Sequence, residues 1–290
     1  MPKPYSYTDS VKSDVSDELV NVYLQRPIAG MLTRIAYATP VTPNHLTIAA
    51  IAFGLGGSIF LSFRAPSYAA AAGCFYLKDL LDSADGQLAR AKQLYSRRGR
   101  FLDSIGDFTV NFFLFAAILV WLLRQGSSPL PALLLSLVGF LGVTLRVSYH
   151  VFYQTSFLHI RRTYETNRIN EEFRAEDFGE DIGTVRLQRI FLMLYGWQDR
   201  LMIRADAWSR GKHRAAPDAA LTQWYADAAG LRLSGFLGLG TEFVALTLCL
   251  IFRSIGTYLF ISVGALNGVW LASVLYRRMV LAGKIDWGKK

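Results

Sequence analysis

The chain has 290 residues, is 52% hydrophobic and carries a formal charge of +9, with a mean hydropathy of +0.26. A sequence this apolar is not an ordinary soluble domain, and the positive charge is placed in a way that excludes nucleic acid as its partner. Lys92, Arg97, Arg98 and Arg100 crowd one short connection, and Arg277, Arg278, Lys284, Lys289 and Lys290 fill the C-terminal tail, whereas the connections on the opposite side carry only Arg64, Arg124 and Arg253. Such asymmetry encodes cytoplasmic placement of the basic segments and attraction to anionic headgroups. Cys74 and Cys249 both fall in apolar runs, which excludes a disulfide framework and leaves too few thiolates for a metal. No cleavable leader is expected, because the polar N-terminus lacks an apolar core before a small-residue cleavage site.

In chain order, residues 1–42 read as a polar tail followed by an amphipathic element beginning at a cap near Ser16. Leu19, Val20, Val22, Tyr23 and Leu24 precede Pro27, and Ile28, Met31, Leu32, Ile35 and Ala36 resume the apolar face after it. This predicts one bent or two short helices, lying on a membrane surface or packed against loops. Residues 43–290 then form the membrane region. About six apolar runs are long enough to cross a bilayer: Leu46–Phe63, Ser67–Leu81, Phe101–Leu123, Leu130–Phe152, Leu233–Phe252 and Tyr258–Leu275. The second reaches that length only if its helix continues through a cluster of aspartates toward Ala91. The expected fold is therefore all-α and multi-pass, with a cytoplasmic insertion at 157–232. Within the insertion, Leu187, Ile190, Phe191, Leu194 and Trp197 mark one helical stripe.

The chemistry concentrates between Leu81 and Asp107. Asp82 and Asp85 are three residues apart, Asp103 and Asp107 four, so each pair shares a helix face. The two helices follow one another across a short loop and are expected to lie antiparallel and adjacent. Four carboxylates gathered at a membrane edge repel one another unless divalent cations neutralise them, and oxygen-only ligands suit Mg²⁺, Mn²⁺ or Ca²⁺. Two such cations form a clamp for displacement at phosphorus. Gly86 and Gly99 clear side chains where a base or phosphate approaches the backbone, and Arg90 offers a bidentate fork to a phosphate. Small residues such as Gly86 and Ala89 equally permit close helix packing.

The pattern D-x2-D-G-x2-A-R-x8-G-x3-D-x3-D, from Asp82 to Asp107, resembles the signature of the CDP-alcohol phosphotransferases (CDP-alcohol phosphatidyltransferases) at every position. The clear resemblance covers Pro43–Asn111. It implies a membrane enzyme, usually homodimeric, that uses a CDP-linked donor and an alcohol acceptor and releases CMP. It implies two divalent cations, Mg²⁺ or Mn²⁺, held by Asp82, Asp85 and Asp103, with Asp107 as general base. Gly86, Ala89, Arg90 and Gly99 match positions that shape the CMP site.

Other positions keep two readings each. Asn44 and Thr47 resemble the start of the family's first span, near the nucleotide, and also suit plain helix-start chemistry. Arg146, inside the fourth span, fits either a substrate phosphate or an ion pair with Glu242. His159, Arg161 and Arg162 form either a headgroup rim or a membrane anchor. Lys78 and Asp79 suit internal ion pairing, and Asn111 lies one turn beyond Asp107, on the side from which it would orient that carboxylate. The expected reaction moves a phosphatidyl-type group from CDP-diacylglycerol to a small polar alcohol, within phospholipid biosynthesis, at a site facing the cytoplasm. Transfer of a small phospho-headgroup to a lipid alcohol is the alternative. Ion or solute transport is disfavoured, because the charges lie at one membrane edge and no paired halves occur.

Overall fold

In a computed structural model, the structure describes residues 5–11, 17–63, 65, 67–161, 168, 171–211, 213 and 216–287. The expected cap at Ser16 and the charges at Arg64, Arg162, Lys289 and Lys290 lie outside these residues. All regular structure among them is helical. After a single turn at Tyr7–Ser10 come α1 (Arg26–Tyr37), α2 (Pro43–Ser62), α3 (Tyr68–Ala91), α4 (Arg97–Arg124) and α5 (Pro129–Ile160). The insertion supplies α6 (Ile182–Arg210), α7 (Asp218–Tyr225) and α8 (Ala228–Gly235), followed by α9 (Leu239–Ile251) and a last helical stretch, α10 (Ile255–Lys284).

Five stretches are long and apolar enough to cross a membrane: α2, α4, α5, α10, and the run Ala228–Ile251 that joins α8 to α9. This is a multi-pass membrane architecture. The sixth expected span, α3, does run unbroken through the aspartates to Ala91 over 24 residues. Lys78, Asp79, Asp82, Asp85 and Arg90 crowd its second half, so it has the length of a span without the uniform apolarity. The connections sort by end. Arg124 donates to the Ser62 carbonyl at one end, whereas the first turn of α4 meets the insertion at the other, through Arg97 and Arg100.

The N-terminal amphipathic element resolves as one continuous helix. Pro27 has no N–H to return to the preceding turn, and there the helix opens into a π turn over Asn21–Gln25 before closing to α geometry. Its small and polar face is inward: Gln25, Arg26, Ala29, Gly30 and Thr33 are buried, with Thr33 bonded to the Ala84 carbonyl. Tyr23, Met31 and Ile35 point outward, as in a helix whose apolar face meets the lipid interface. The α6 helix exposes Met193 and Trp197 while packing Phe191 on Phe101 of α4, ring centroids 5.2 Å apart.

The two aspartate helices, α3 and α4, face one another antiparallel, as expected: Tyr68 meets Trp121, Lys78 meets Asp107, and Asp82 and Asp85 meet Asp103. The helix α2 packs closely against both. Its Gly54 makes room for Val110 of α4 and Lys78 of α3, and Gly57 for Phe75 of α3. Gly106 of α4 in turn admits Ile51 of α2, and a methyl group there would meet that side chain at 2.3 Å. Small residues thus seat α2 against both aspartate helices.

Candidate active site

The site sits at the end of the bundle where α3 finishes and α4 begins. Asp82, Asp85 and Asp103 each bring an oxygen into a group whose atoms lie within 4.8 Å of one another; Asp85 is buried, the other two half-buried. Three ionised carboxylates at that separation in a low-dielectric setting are strongly repulsive. The donor set, all oxygen and all anionic, fits hard divalent cations such as Mg²⁺ or Mn²⁺. Thr47, on the first turns of α2, donates to Asp85 at 2.5 Å and fixes that carboxylate's orientation.

Asp107 stands outside the group of three. Its carboxylate accepts from Lys78 Nζ at 2.5 Å, and the same ammonium lies 3.4 Å from Asp82. Lys78 is almost wholly buried and also rests 4.7 Å from the Phe243 ring. It realises the expected internal ion pairing and ties α3 to α4. Asp79 turns away and accepts from Gln25 at 2.6 Å. Asn111 donates to the backbone carbonyl of Asp107 at 2.9 Å, not to its carboxylate.

Two cavities meet at Asp103. The first, of about 310 Å³, is lined by Asn44, Thr47, Asp85, Gly86, Ala89, Arg90, Gly99 and Asp103, with Arg97 and Arg100 at its rim. The structure thus brings together every expected CMP-site position with Asn44 and Thr47. Arg90 is buried, and its Nε donates to the Ser10 carbonyl at 2.5 Å, which leaves the two Nη groups beside Gly86. A methyl group at Gly86 would lie in ordinary contact with them, at 3.5 Å, whereas one at Gly99 would meet Asn44 and Ser96 at 3.0 Å. The second cavity, of about 280 Å³, is lined by Asp103 and Asp107 together with Asn111, Ser148, Glu171 and Asp199, among others.

Arg146 is not brought to either cavity. Buried with Glu242, it binds Oε2 at 2.8 Å and donates to the Ser262 carbonyl at 2.6 Å and Asn267 at 2.7 Å. Of its two expected roles the structure gives it the ion pair. Arg161 stacks on Phe157, 5.6 Å from the ring centre, and lines neither cavity.

Sequence reasoning missed the insertion's part in the site. Arg97 and Arg100, read as topology signals, are held by carboxylates from 171–180. Arg97 pairs with Glu171 at 3.1 Å, Asp177 at 2.7 Å and Glu180 at 2.8 Å, and Arg100 with Glu171. The available signal was the mixed-sign run from Arg168 to Asp181, richer in charge than an exposed connector requires.

Five stretches apolar enough to cross a membrane thus frame a carboxylate cluster whose oxygens fit divalent cations and, beside it, a cavity lined by Arg90. Residues 40–170, a little under half of the chain, match the model of the CDP-alcohol phosphatidyltransferase family. The chain is also similar to the "Bifunctional IPC transferase and DIPP synthase" of Archaeoglobus fulgidus, at 37% identity over 107 residues, which is 37% of this chain and 21% of that protein. The chain spans about a fifth of that relative's length.

Proposed function

We propose that this protein transfers a phosphatidyl-type group from CDP-diacylglycerol to a small polar alcohol and releases CMP, at a site facing the cytoplasm. The observation that carries the reading is the division of the carboxylates. Asp82, Asp85 and Asp103 converge within 4.8 Å next to the cavity with Arg90. Asp107 stands apart from them and faces only the second cavity.

Asp82, Asp85 and Asp103 would hold two cations, Mg²⁺ or Mn²⁺. When bound, these supply charge neutralisation at the diphosphate and at the departing CMP. The chain's own residues do the rest. Gly86 and Gly99 let the nucleotide end approach the helix backbones, and Arg90 presents its Nη pair to a phosphate. The acceptor alcohol lies in the second cavity with its hydroxyl toward Asp107. As that oxygen bonds to the phosphorus bearing the lipid, the bond from this phosphorus to the bridging oxygen breaks. CMP leaves with the bridging oxygen, and the hydroxyl proton passes to Asp107. Lys78, 2.5 Å away, holds the Asp107 carboxylate in place.

The alternative polarity, a small headgroup carried by CDP and a lipid alcohol as acceptor, uses the same residues. An assay of purified protein with CDP-diacylglycerol or a CDP-linked headgroup, each with a panel of alcohols, decides between them by product mass. Chelation is expected to abolish CMP release and Mg²⁺ or Mn²⁺ to restore it; full turnover in excess chelator would end the metal reading. Cysteines placed at Arg98 and Ser127 are expected to react with an impermeant reagent from opposite sides, Arg98 from the cytoplasm. The homodimer implied by the resemblance is likewise proposed, with a crosslinked pair in native membranes as its test.

A further inference from the structure

The second cavity has a wall that the family match does not reach, and its chemistry is one-sided. From the insertion, Glu171, Phe191, Tyr195 and Asp199 face Asp103, Asp107 and Asn111 of α4 across it. Among the described residues, three buried side-chain atoms here lack a hydrogen-bond partner, two acceptors and one donor, Arg100 Nε. Glu171 is 1% exposed; its Oε1 serves Arg97 and Arg100, while its Oε2 accepts no hydrogen bond. Asn111 is 4% exposed and also unpaired at Oδ1. Its amide cannot be turned to mend this, because Nδ2 is committed to the Asp107 carbonyl, which can only accept. A buried acceptor without a donor is costly, so a ligand that donates is favoured at both points.

The charges agree. Among the described residues the lining cations are Arg100 and Arg168, and both are already committed. Arg168 makes two 2.8 Å contacts to Asp177, and its Nε lies 3.9 Å from Glu171 Oε2, at ion-pair distance but without a hydrogen bond. Arg100 pairs with Glu171 and lies 5.0 Å from the centre of the Phe101 ring. Its Nε is the one unsatisfied donor of this wall among the described residues, and it belongs to a guanidinium that Glu171 already neutralises. Asp199 adds a further carboxylate, which accepts the Glu171 backbone N–H. A phosphate brings only acceptors and negative charge. To bind here it would have to displace Glu171 or Asp177 from an arginine, next to Asp103 and Asp107. An ammonium brings donors and positive charge, and finds both needs met.

We propose, resting on the transfer reaction above, that the insertion is the acceptor-selecting wall of this enzyme and that it selects an unphosphorylated alcohol bearing an amino group, the ammonium lying between Glu171 and Asp199. The hydroxyl then reaches toward Asp107 while Asn111 Oδ1 takes a second donor. In this arrangement Glu171 has two duties: it holds the arginines that border the first cavity and it faces the acceptor in the second.

Two measurements on the full-length protein test this. Calorimetry in detergent with Mg²⁺ and CMP, using an aminoalcohol, an unphosphorylated polyol and a polyol phosphate, reads binding whether or not turnover occurs. The aminoalcohol is expected to bind tightest. Asp199→Asn is expected to weaken it about tenfold, the scale of one lost charge-assisted hydrogen bond, and to leave the polyol phosphate no weaker. Glu171→Gln is expected to act in the same direction. Tightest binding of the polyol phosphate or of the neutral polyol, or loss of all three ligands equally in Asp199→Asn, overturns the proposal. CMP release from CDP-diacylglycerol with the same three alcohols separates the two levels. Release that is fastest with the polyol phosphate defeats the acceptor assignment alone. No release with any alcohol, while the aminoalcohol still binds and responds to Asp199→Asn, defeats the transfer reading and leaves the ammonium site standing.

Discussion

Two clusters of buried charge lie inside this helical bundle, and they are built on opposite terms. Around Arg146, the charge is closed: Glu242 takes the guanidinium at 2.8 Å and the Tyr258 hydroxyl at 2.7 Å, and Ser262 and Asn267 occupy the other donors. Around Asp103, the charge is open. Three carboxylates converge with Lys78 beside only one of them, and two cavities border the group. A charge in a membrane protein needs a counter-charge, and the fold supplies it for Arg146 but not for the aspartates. The lesson is that an intramembrane charge marks a functional site where its partners are missing from the chain, and a structural one where they are present.

The comparison breaks first at Glu242. Replacing it by Gln leaves Arg146 buried and unpaired, and about 3–5 kcal/mol of stability is expected to be lost, read as a fall in thermal midpoint. Replacing Arg146 and Glu242 together by Met and Leu is expected to recover most of that loss. Activity per folded molecule should then match the parent; a rate defect in the recovered double variant would move Arg146 into the chemistry.

On the open side, Thr47→Val removes a hydrogen bond to a charged group while keeping shape. Divalent-cation affinity is expected to fall roughly tenfold with little change in fold stability. Unchanged affinity would mean that Asp85 is oriented by something else. The smallest effect is expected at Asp199, whose carboxyl is pushed up to about 6, chiefly by burial. A raised carboxyl pKa means that the folded state holds the proton more tightly than the unfolded one, so stability falls as pH rises toward 6. Asp199→Asn escapes that cost. It is expected to raise the melting temperature slightly at pH 7.5, and the gain should shrink as the pH falls toward the ordinary carboxylate range. A constant difference across pH would show that burial of the charge is not its source.

How much of this could be seen in the residues alone varies with the range of the interaction. Asp82, Asp85, Gly86, Ala89 and Arg90 share one helix and Gly99 and Asp103 begin the next, so local periodicity and one short connection are enough to gather them. The run of α3 through its aspartates follows from the same arithmetic. What local pattern cannot supply is the partner from far along the chain. Gln25 on Asp79, Glu171 on Arg97 and Arg100, and Glu242 on Arg146 are each separated by more than fifty residues. The seating of α2 on both aspartate helices belongs to the same class. It depends on Gly54, Gly57 and Gly106, and no local pattern pointed to it.

The division of labour among the four aspartates is the account's central claim, and one paired measurement tests it. Mn²⁺ and CDP-diacylglycerol binding, followed by calorimetry, would be compared with CMP release for Asp103→Asn and Asp107→Asn. Asp103→Asn is expected to lose metal-dependent donor binding and turnover together. Asp107→Asn is expected to keep both bindings while turnover falls roughly 10²-fold or more, the scale of lost general-base catalysis. Donor binding lost in parallel with rate in Asp107→Asn would make that residue a metal ligand and contradict the account.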